Sequence, residues 1–497
     1  MEQRNKSELS FYGIISAITF IYLILTDNPG ISAPIFFIIQ FAILLYITKN
    51  NKEVINVKGL FMLLPIFIIS LNNFLSASYM MMPTNFLVIV FLYSSMFLML
   101  GNKLNLMKLN IFEILKTIVN IFEPIINFIV PFKWMAEGRK KNDHILAKRI
   151  LIGVALSVPS VIFLIKMLSS ADLVFYNNFI LFNNWIKKLF EYINIFKIIV
   201  GTFAGFYLFS HLYSVLKKDT NSLVNILKDE TIATNKIKGD IIVFNILIMS
   251  VLFVYSIFVV IQFKYLFSGG ILPHGLSFSE YARRGFFELV FLSILNLGLI
   301  LITTYLLRDQ IYKDKNRWAI FTKLMLIYLC VITGILLVSS YYRMSLYDSA
   351  YGFTRLRVLV YIFLVFEAIG LIATFVYIIK HNFNILTIYA AIGLTFYLTL
   401  NVVKIDEIIA KRNIDMYLNG QAEEIDIDYL MTLSQDALPQ LIRLTHDDVE
   451  IITRNKTINY LKNISELYMD MENKWQSYNL TIERNRDLLE SNKDKWN

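Results

Sequence analysis

The sequence predicts an all-α fold: a polytopic transmembrane helix bundle of about 11 spans with a small C-terminal helical extramembrane domain. Three observations predict it. Hydrophobic residues make up 56% of the chain against 17% charged, so a soluble fold would lack the polar surface to cover itself. The apolar residues fall in long runs separated by short loops. Lys and Arg gather in every second loop, the signature of alternating membrane crossings.

A span needs roughly 20 apolar residues to cross about 30 Å of hydrocarbon, where a helix satisfies its own backbone groups. Such runs lie near 10–26, 32–48, 59–75, 84–101, 149–168, 195–216, 240–263, 285–307, 318–340, 357–379 and 383–402. The first follows Arg4 and Lys6 with no small-residue cleavage site behind it, and reads as a retained signal anchor. The basic segments are those with Lys49, Lys52 and Lys58, with Arg139, Lys140, Lys141, Lys148 and Arg149, with Lys217, Lys218, Lys228, Lys236 and Lys238, and with Arg308, Lys313, Lys315 and Arg317. All fall on one side, whereas loops 27–31 and 76–83 carry no Lys or Arg. The positive-inside rule makes the basic side cytoplasmic and the amino terminus with it, and an odd span count then puts the tail outside. The net charge of +9 reflects that orientation, and no nucleic-acid partner is expected.

The chain divides into a four-span region (1–101), a cytoplasmic amphipathic and basic segment (102–148), a seven-span core (149–403) and an extracytoplasmic helical domain (404–497). In the second, Ile111, Ile114, Leu115, Ile118, Ile121 and Phe122 recur at helical spacing beside Glu113, Lys116 and Asn120, which fits an interfacial amphipathic helix. A second such segment, 175–194, sets Phe179, Phe182, Trp185, Ile186 and Leu189 near Lys187 and Lys188 on the outer side. Beyond Lys404 charged residues mix with scattered apolar ones. Gly420 is expected to end a first tail helix, Asp428 to cap a second, Pro439 to open a third, and Asp447 or Asp448 to cap a long fourth.

Two outer loops stand out. One runs Ser279-Glu280-Tyr281-Ala282-Arg283-Arg284-Gly285-Phe286-Phe287-Glu288, and the other carries Arg343, Tyr347, Asp348, Tyr351, Arg355 and Arg357. Five arginines there oppose the orientation signal. They are expected to converge with Tyr347 and Tyr351, with Glu280, Glu288 and Asp348 as counter-charges and tail helices 426–445 close by. Guanidinium suits carboxylate and phosphate alike, so this pattern fits an anionic ligand, while lipid snorkelling or an internal ion-pair network explains it structurally. Arg284 and Glu288 share a helix face, with Asn296 about two turns deeper on nearly the same side. Glu367 lies mid-span, where an unpaired charge costs on the order of 3 kcal/mol, so it must face protein or water.

Nothing points to catalysis, a metal or a cofactor. His144, His211, His274, His381 and His446 are scattered without ligand spacing, and no nucleophile elbow or phosphate loop occurs. Cys330 is the single cysteine, inside a span, so it reads as packing.

At these motifs the chain resembles a bacterial multi-pass membrane family of unknown function, domain of unknown function 4173, related to 4153. The likeness is carried by Ser170-Ala171-Asp172-Leu173-Val174-Phe175, Glu280 through Leu289, Arg343 through Tyr347 and Ala350 through Arg357. In the tail it is carried by Ile409 through Ile414, Asp428-Tyr429-Leu430, Leu433 through Pro439 and Trp475 through Leu480. The resemblance implies a bacterial cytoplasmic membrane and a tail docked on the arginine-rich face, and brings no catalytic residues. The expected function is binding or sensing of an anionic lipid or solute, or of another envelope protein, at the outer face. The alternatives are a secondary transporter using Glu367, Glu288 and Asn296, and a membrane enzyme acting on a lipid-linked anion.

Overall fold

The computed structural model describes residues 3–51, 55–136, 195–217, 239–266, 286–313, 316–470, 474–493 and 496, with scattered positions between 153 and 168. Among them all regular structure is helical. The expected segment 175–194, most of the expected span 149–168, and Glu280, Arg283 and Arg284 lie outside the described residues.

Among the described residues nine stretches are long and apolar enough to cross a membrane. In the amino-terminal half these are α2 (Ser32–Asn50), a 3-10 turn running into α3 (Leu63–Leu75), α4 (Met82–Leu100) and, after α5 (Ile111–Ile126) and α6 (Val130–Ala136), α7 (Ile195–Lys217). They continue with α8 (Ile241–Leu266), α9 (Phe286–Leu306), α11 (Arg317–Tyr351) beyond the short α10 (Arg308–Tyr312), α12 (Arg355–Lys380) and α13 (Ile385–Val402). Helix α1 (Gln3–Leu23) is not among the nine, since it carries charges in its first turns, yet it runs the full length of α2. Its start holds Glu8 against Asn50 and Asn51, and its end approaches α2 again through Ser32 Oγ donating to Leu23 O at 2.6 Å.

The first bundle packs α1, α2, α3, α4 and α7 around Tyr12, Phe37, Ile66, Met96, Phe97 and Leu212. Its tightest seam is α1 on α7, where Gly13 and Ala17 face Gly201 and Gly205. A Cβ on Gly205 would stand 2.6 Å from Gly13 O and 2.7 Å from Ala17 Cβ, so only small residues permit this approach. Close backbone packing of this kind holds helices together in lipid, where no hydrophobic effect drives them. The second bundle packs α8, α9, α11 and α12 around Leu326, Leu329, Leu336, Ile300 and Ile378. Helix α13 bridges the two, lying against α12 and α3.

Helix α5 has the expected amphipathic pattern, capped by Asn110 accepting from Glu113 N at 2.8 Å. It inserts polar side first. Thr117, Asn120 and Glu123 are buried, Asn120 Nδ2 donates to Ser94 Oγ at 3.0 Å and Ser94 Oγ to Thr117 O at 2.8 Å, while Ile111, Phe112, Ile118, Phe122 and Ile126 point outward. A membrane helix exposes apolar atoms to its solvent, so this face is the one lipid covers.

The chain sorts into two faces. The 55–58 and 101–110 loops share one with α10 and residues 381–384, tied by Asn56 to Asn102 at 3.0 Å, Asn384 to Leu109 O at 2.8 Å and Tyr312 stacked on His381. Loops 27–31, 76–81 and 352–354 share the other with the tail. The tail comprises α14 (Ile405–Leu418), α15 (Ile427–Met431), α16 (Leu438–Leu441), α17 (Ile451–Asp470) and α18 (Leu480–Asn492). Gly420, at φ +70°, follows the end of α14, and Pro439 sits in the first turn of α16, as the sequence predicts. Two expected caps differ. Asp426, not Asp428, caps α15 by accepting from Tyr429 N, which frees Asp428 to pair with Lys456 at 3.0 Å. Helix α17 begins at Ile451, and Asp447 pairs with Arg454 at 2.7 Å instead of capping it. The apolar core of the tail (Ile409, Ile414, Leu430, Leu441 and Leu444) is continuous with Val358 of α12 and Leu400 of α13.

Candidate functional site

Helix α11 has 35 residues and so reaches roughly 50 Å at 1.5 Å per residue, well beyond the hydrocarbon. Its last turns project toward the tail and carry Arg343, Tyr347, Asp348 and Tyr351. Gly352, at φ +71°, reverses the chain into α12, where a side chain would collide with Asn413 Oδ1. The Asn413 amide clamps this turn twice: Phe353 N donates to its Oδ1 at 2.7 Å, and its Nδ2 donates to Phe353 O at 2.8 Å.

Arg355 is committed. Its Nε and Nη2 donate to the two oxygens of Asp406 at 2.7 and 2.8 Å, and its backbone N donates to Tyr429 Oη at 3.0 Å. Asp406, 3% exposed, also accepts from Ser434 N at 2.8 Å. Burial alone would raise the Asp406 pKa, but the bonds from Arg355 and Ser434 outweigh it and hold the carboxyl below its ordinary value. Arg357 is committed as well, 3.5 Å from Asp348 Oδ1, 4.0 Å over the Tyr347 ring and bonded to the Tyr351 and Gly352 carbonyls. Tyr347 and Tyr351 pack ring to ring at 5.1 Å, and Arg343 is buried one turn earlier on the same helix. Arg355, Arg357, Tyr347, Tyr351 and Asp348 thus gather at one joint, where their charges serve mainly internal contacts.

Two further joints fix the tail to the first bundle. Asp436, 2% exposed, accepts from Ser76 Oγ at 2.5 Å and Ala77 N at 2.9 Å. Residues 476–481 lie along the other loop: Gly30 N and Ile31 N donate to Gln476 O and Tyr478 O, and Asn479 Nδ2 donates to Asn73 O and Ser76 O. Gly352 through Arg355, Asn413, Tyr429, Ser434 and Asp436, far apart in sequence, meet along this boundary.

Deeper, Glu367 of α12 is 7% exposed and accepts from Ser293 Oγ of α9 at 2.5 Å. Its other oxygen, Oε2, has no hydrogen-bond partner among the described residues. One turn further along α9, Asn296 Nδ2 donates to Thr333 Oγ1 of α11 at 3.1 Å and its Oδ1 accepts from Tyr255 of α8 at 2.9 Å. This polar seam joins four spans. Glu288 is exposed at the start of α9 and does not share the buried side of Asn296: eight residues turn a helix about 80° past two full turns. Sequence reasoning found Glu367 and Asn296 and missed Ser293, Thr333 and Tyr255, because hydroxyls in spans usually bond their own helix. It also missed Asp406, whose only signal is an acidic residue in the first turn after the last span.

Among the described residues no group of three His, Cys, Asp or Glu side chains is placed to hold a metal. A bundle of this construction, with apolar outer faces and polar groups turned inward, defines a multi-pass membrane protein. The family model described as Domain of unknown function (DUF4153) matches residues 13–444, and the chain belongs to that family. No curated protein and no solved structure matches it.

Proposed function

We propose that the protein is a binding and sensing module of a bacterial cytoplasmic membrane, with its amino terminus inside and its tail forming a helical domain on the outer face. The tail receives an envelope partner or an anionic ligand, and α12 carries the displacement inward. The observation that carries this reading is the Arg355–Asp406 pair, which fastens the tail to the helix that bears Glu367 twelve residues, about 18 Å, deeper. Because Arg355 and Arg357 already hold carboxylates, a partner that shifts the tail fits better than a free anion that occupies them.

Cys330 is a built-in reporter, since its Sγ lies 3.7 Å from Leu371 O of α12, one turn beyond Glu367. Asp406→Asn should loosen the tail, raise its protease sensitivity and raise Cys330 labelling by a membrane-permeant maleimide several-fold. Faster proteolysis with unchanged Cys330 labelling would sink the relay. The pH dependence has a definite sign. Asp406 titrates lower when folded, so its contribution is fully present above the ordinary carboxylate pKa of about 3.9 and is lost as pH falls through the lower folded value. Tail release by acid should therefore begin only below about pH 4, and not in Asp406→Asn, where that titration is gone.

The seam favours a second reading, a proton- or cation-coupled carrier, because Glu367 has one bonded oxygen and one free to accept. Proteoliposomes loaded with a pH-sensitive dye would show a potential-driven proton flux that Glu367→Gln abolishes. Equal flux in both proteins would remove Glu367 from any coupling.

A further inference from the structure

On the face opposite the tail, α10, α11 and α12 meet in a cluster of basic and aromatic side chains. Tyr312 stacks on His381 with ring centroids 3.8 Å apart and planes 13° from parallel, and Tyr377 covers the imidazole at 4.5 Å. The Tyr312 hydroxyl donates to Ile378 O at 3.1 Å, which fixes α10 to the end of α12. Lys323 Nζ lies 4.7 Å over the Tyr312 ring. Arg308, from the first turn of α10, and Lys323 both lie near enough to His381 to lower its pKa.

Two features distinguish this cluster from a solvated basic rim. Among the described residues no carboxylate lies within ion-pair distance of Arg308 or Lys323, and nearby Asp309 pairs with Lys313 at 2.8 Å. Moreover, Nδ1 of His381 is buried with no hydrogen-bond partner among the described residues, an arrangement that costs free energy unless a ligand supplies the bond. His381 itself holds φ +39°, fixed between the two tyrosines. Among the described residues, two cations without a carboxylate partner and one unbonded ring nitrogen thus come together from α10, α11 and the residue that follows α12.

We propose that this cluster binds a phosphate-type anion at the membrane surface, with Arg308 and Lys323 supplying charge and His381 Nδ1–H a hydrogen bond. Burial, then Arg308 and Lys323, push the imidazole down to about 4, so the ring is neutral near pH 7 and donates from one nitrogen. The chemistry fits an anionic phospholipid headgroup and inorganic phosphate alike. The aromatic floor and the position at the ends of α11 and α12 suit a headgroup whose chains lie along the bundle.

The test uses the full chain in a phosphate-free maltoside detergent. Short-chain phosphatidylglycerol and inorganic phosphate are titrated separately at constant ionic strength, with lipid adducts read by native mass spectrometry and binding by thermal shift. Saturable binding of the lipid alone assigns a headgroup site, and saturable binding of phosphate assigns a site for the free anion. Arg308→Gln with Lys323→Gln should weaken whichever binds at least tenfold. Lys313→Gln, which removes an already paired charge on the same face, should change it less than twofold. Should the double variant misfold, His381→Gly keeps the left-handed turn, removes the imidazole and should still weaken binding several-fold. Binding of neither probe, or equal losses in the Lys313→Gln and double variants, would overturn the proposal in favour of diffuse surface charge.

Discussion

In the first bundle Tyr12, Tyr93, Ser210 and His211 are buried with Oη, Oη, Oγ and Nε2 unbonded among the described residues, and aromatic rings cover the imidazole: Phe97 stacks on His211 at 4.7 Å and Tyr207 meets its edge at 4.8 Å. In the second bundle Tyr255, Ser293, Asn296, Thr333 and Glu367 are bonded across four helices. The first bundle closes its α1–α7 seam by shape, through Gly13, Ala17, Gly201 and Gly205, bonds Ser16 to Gln40 across α1 and α2, and leaves those other polar atoms unbonded at a cost. Among the described residues the second has no comparable small-residue seam: a Cβ on Gly298 meets nothing within 4 Å, and one on Gly334 meets Leu371 at 3.6 Å. Where backbones do not approach closely, hydrogen bonds across helices supply the specificity that lipid cannot.

The largest expected effect tests the second bundle. Glu367→Lys should abolish membrane yield, because a cation there has no partner and costs about 3 kcal/mol or more, whereas Glu367→Gln keeps the Ser293 bond and folds. Matching yield and melting temperature for the two variants would show that the seam is not dry protein interior. Next, Gly201→Leu should destabilise by about 1–3 kcal/mol through overpacking against Ile21 and Ala17, while Gly298→Leu should be nearly neutral. A thermal melt of both separates shape-held from bond-held packing, and equal losses would erase the contrast between the bundles. The smallest effect carries an unusual sign. Removing an unbonded hydroxyl relieves a desolvation cost, so Tyr12→Phe and Tyr93→Phe should leave stability unchanged or raise it by up to about 1 kcal/mol. Destabilisation by either would reveal internal water bridging these groups.

Several elements were legible from residues alone. Eight of the nine candidate spans among the described residues follow their apolar runs to within a few residues, since the helix period and the thickness of hydrocarbon leave few alternatives, while α11 continues to Tyr351, well past the run at 318–340. The arginine motifs were legible as a cluster, but not their partners. Arg355 pairs with Asp406, 51 residues away, and not with the nearby carboxylates. For α5 the sequence shows two faces but not which one faces inward, because a membrane reverses the solvent rule that a surface helix obeys.

The pattern of apolar runs and basic loops by itself determined that the chain is helical, membrane-embedded and divided between a basic face and a sparsely charged one, because insertion is governed by local hydrophobicity and charge. Only the tertiary structure decided that the tail closes on loops 27–31, 76–81 and 352–354, that Glu367 meets Ser293, and that Arg308, Lys323 and His381 share a surface. These are contacts between segments tens to hundreds of residues apart. Their energies depend on distances of a few ångströms, which no local pattern of residues encodes.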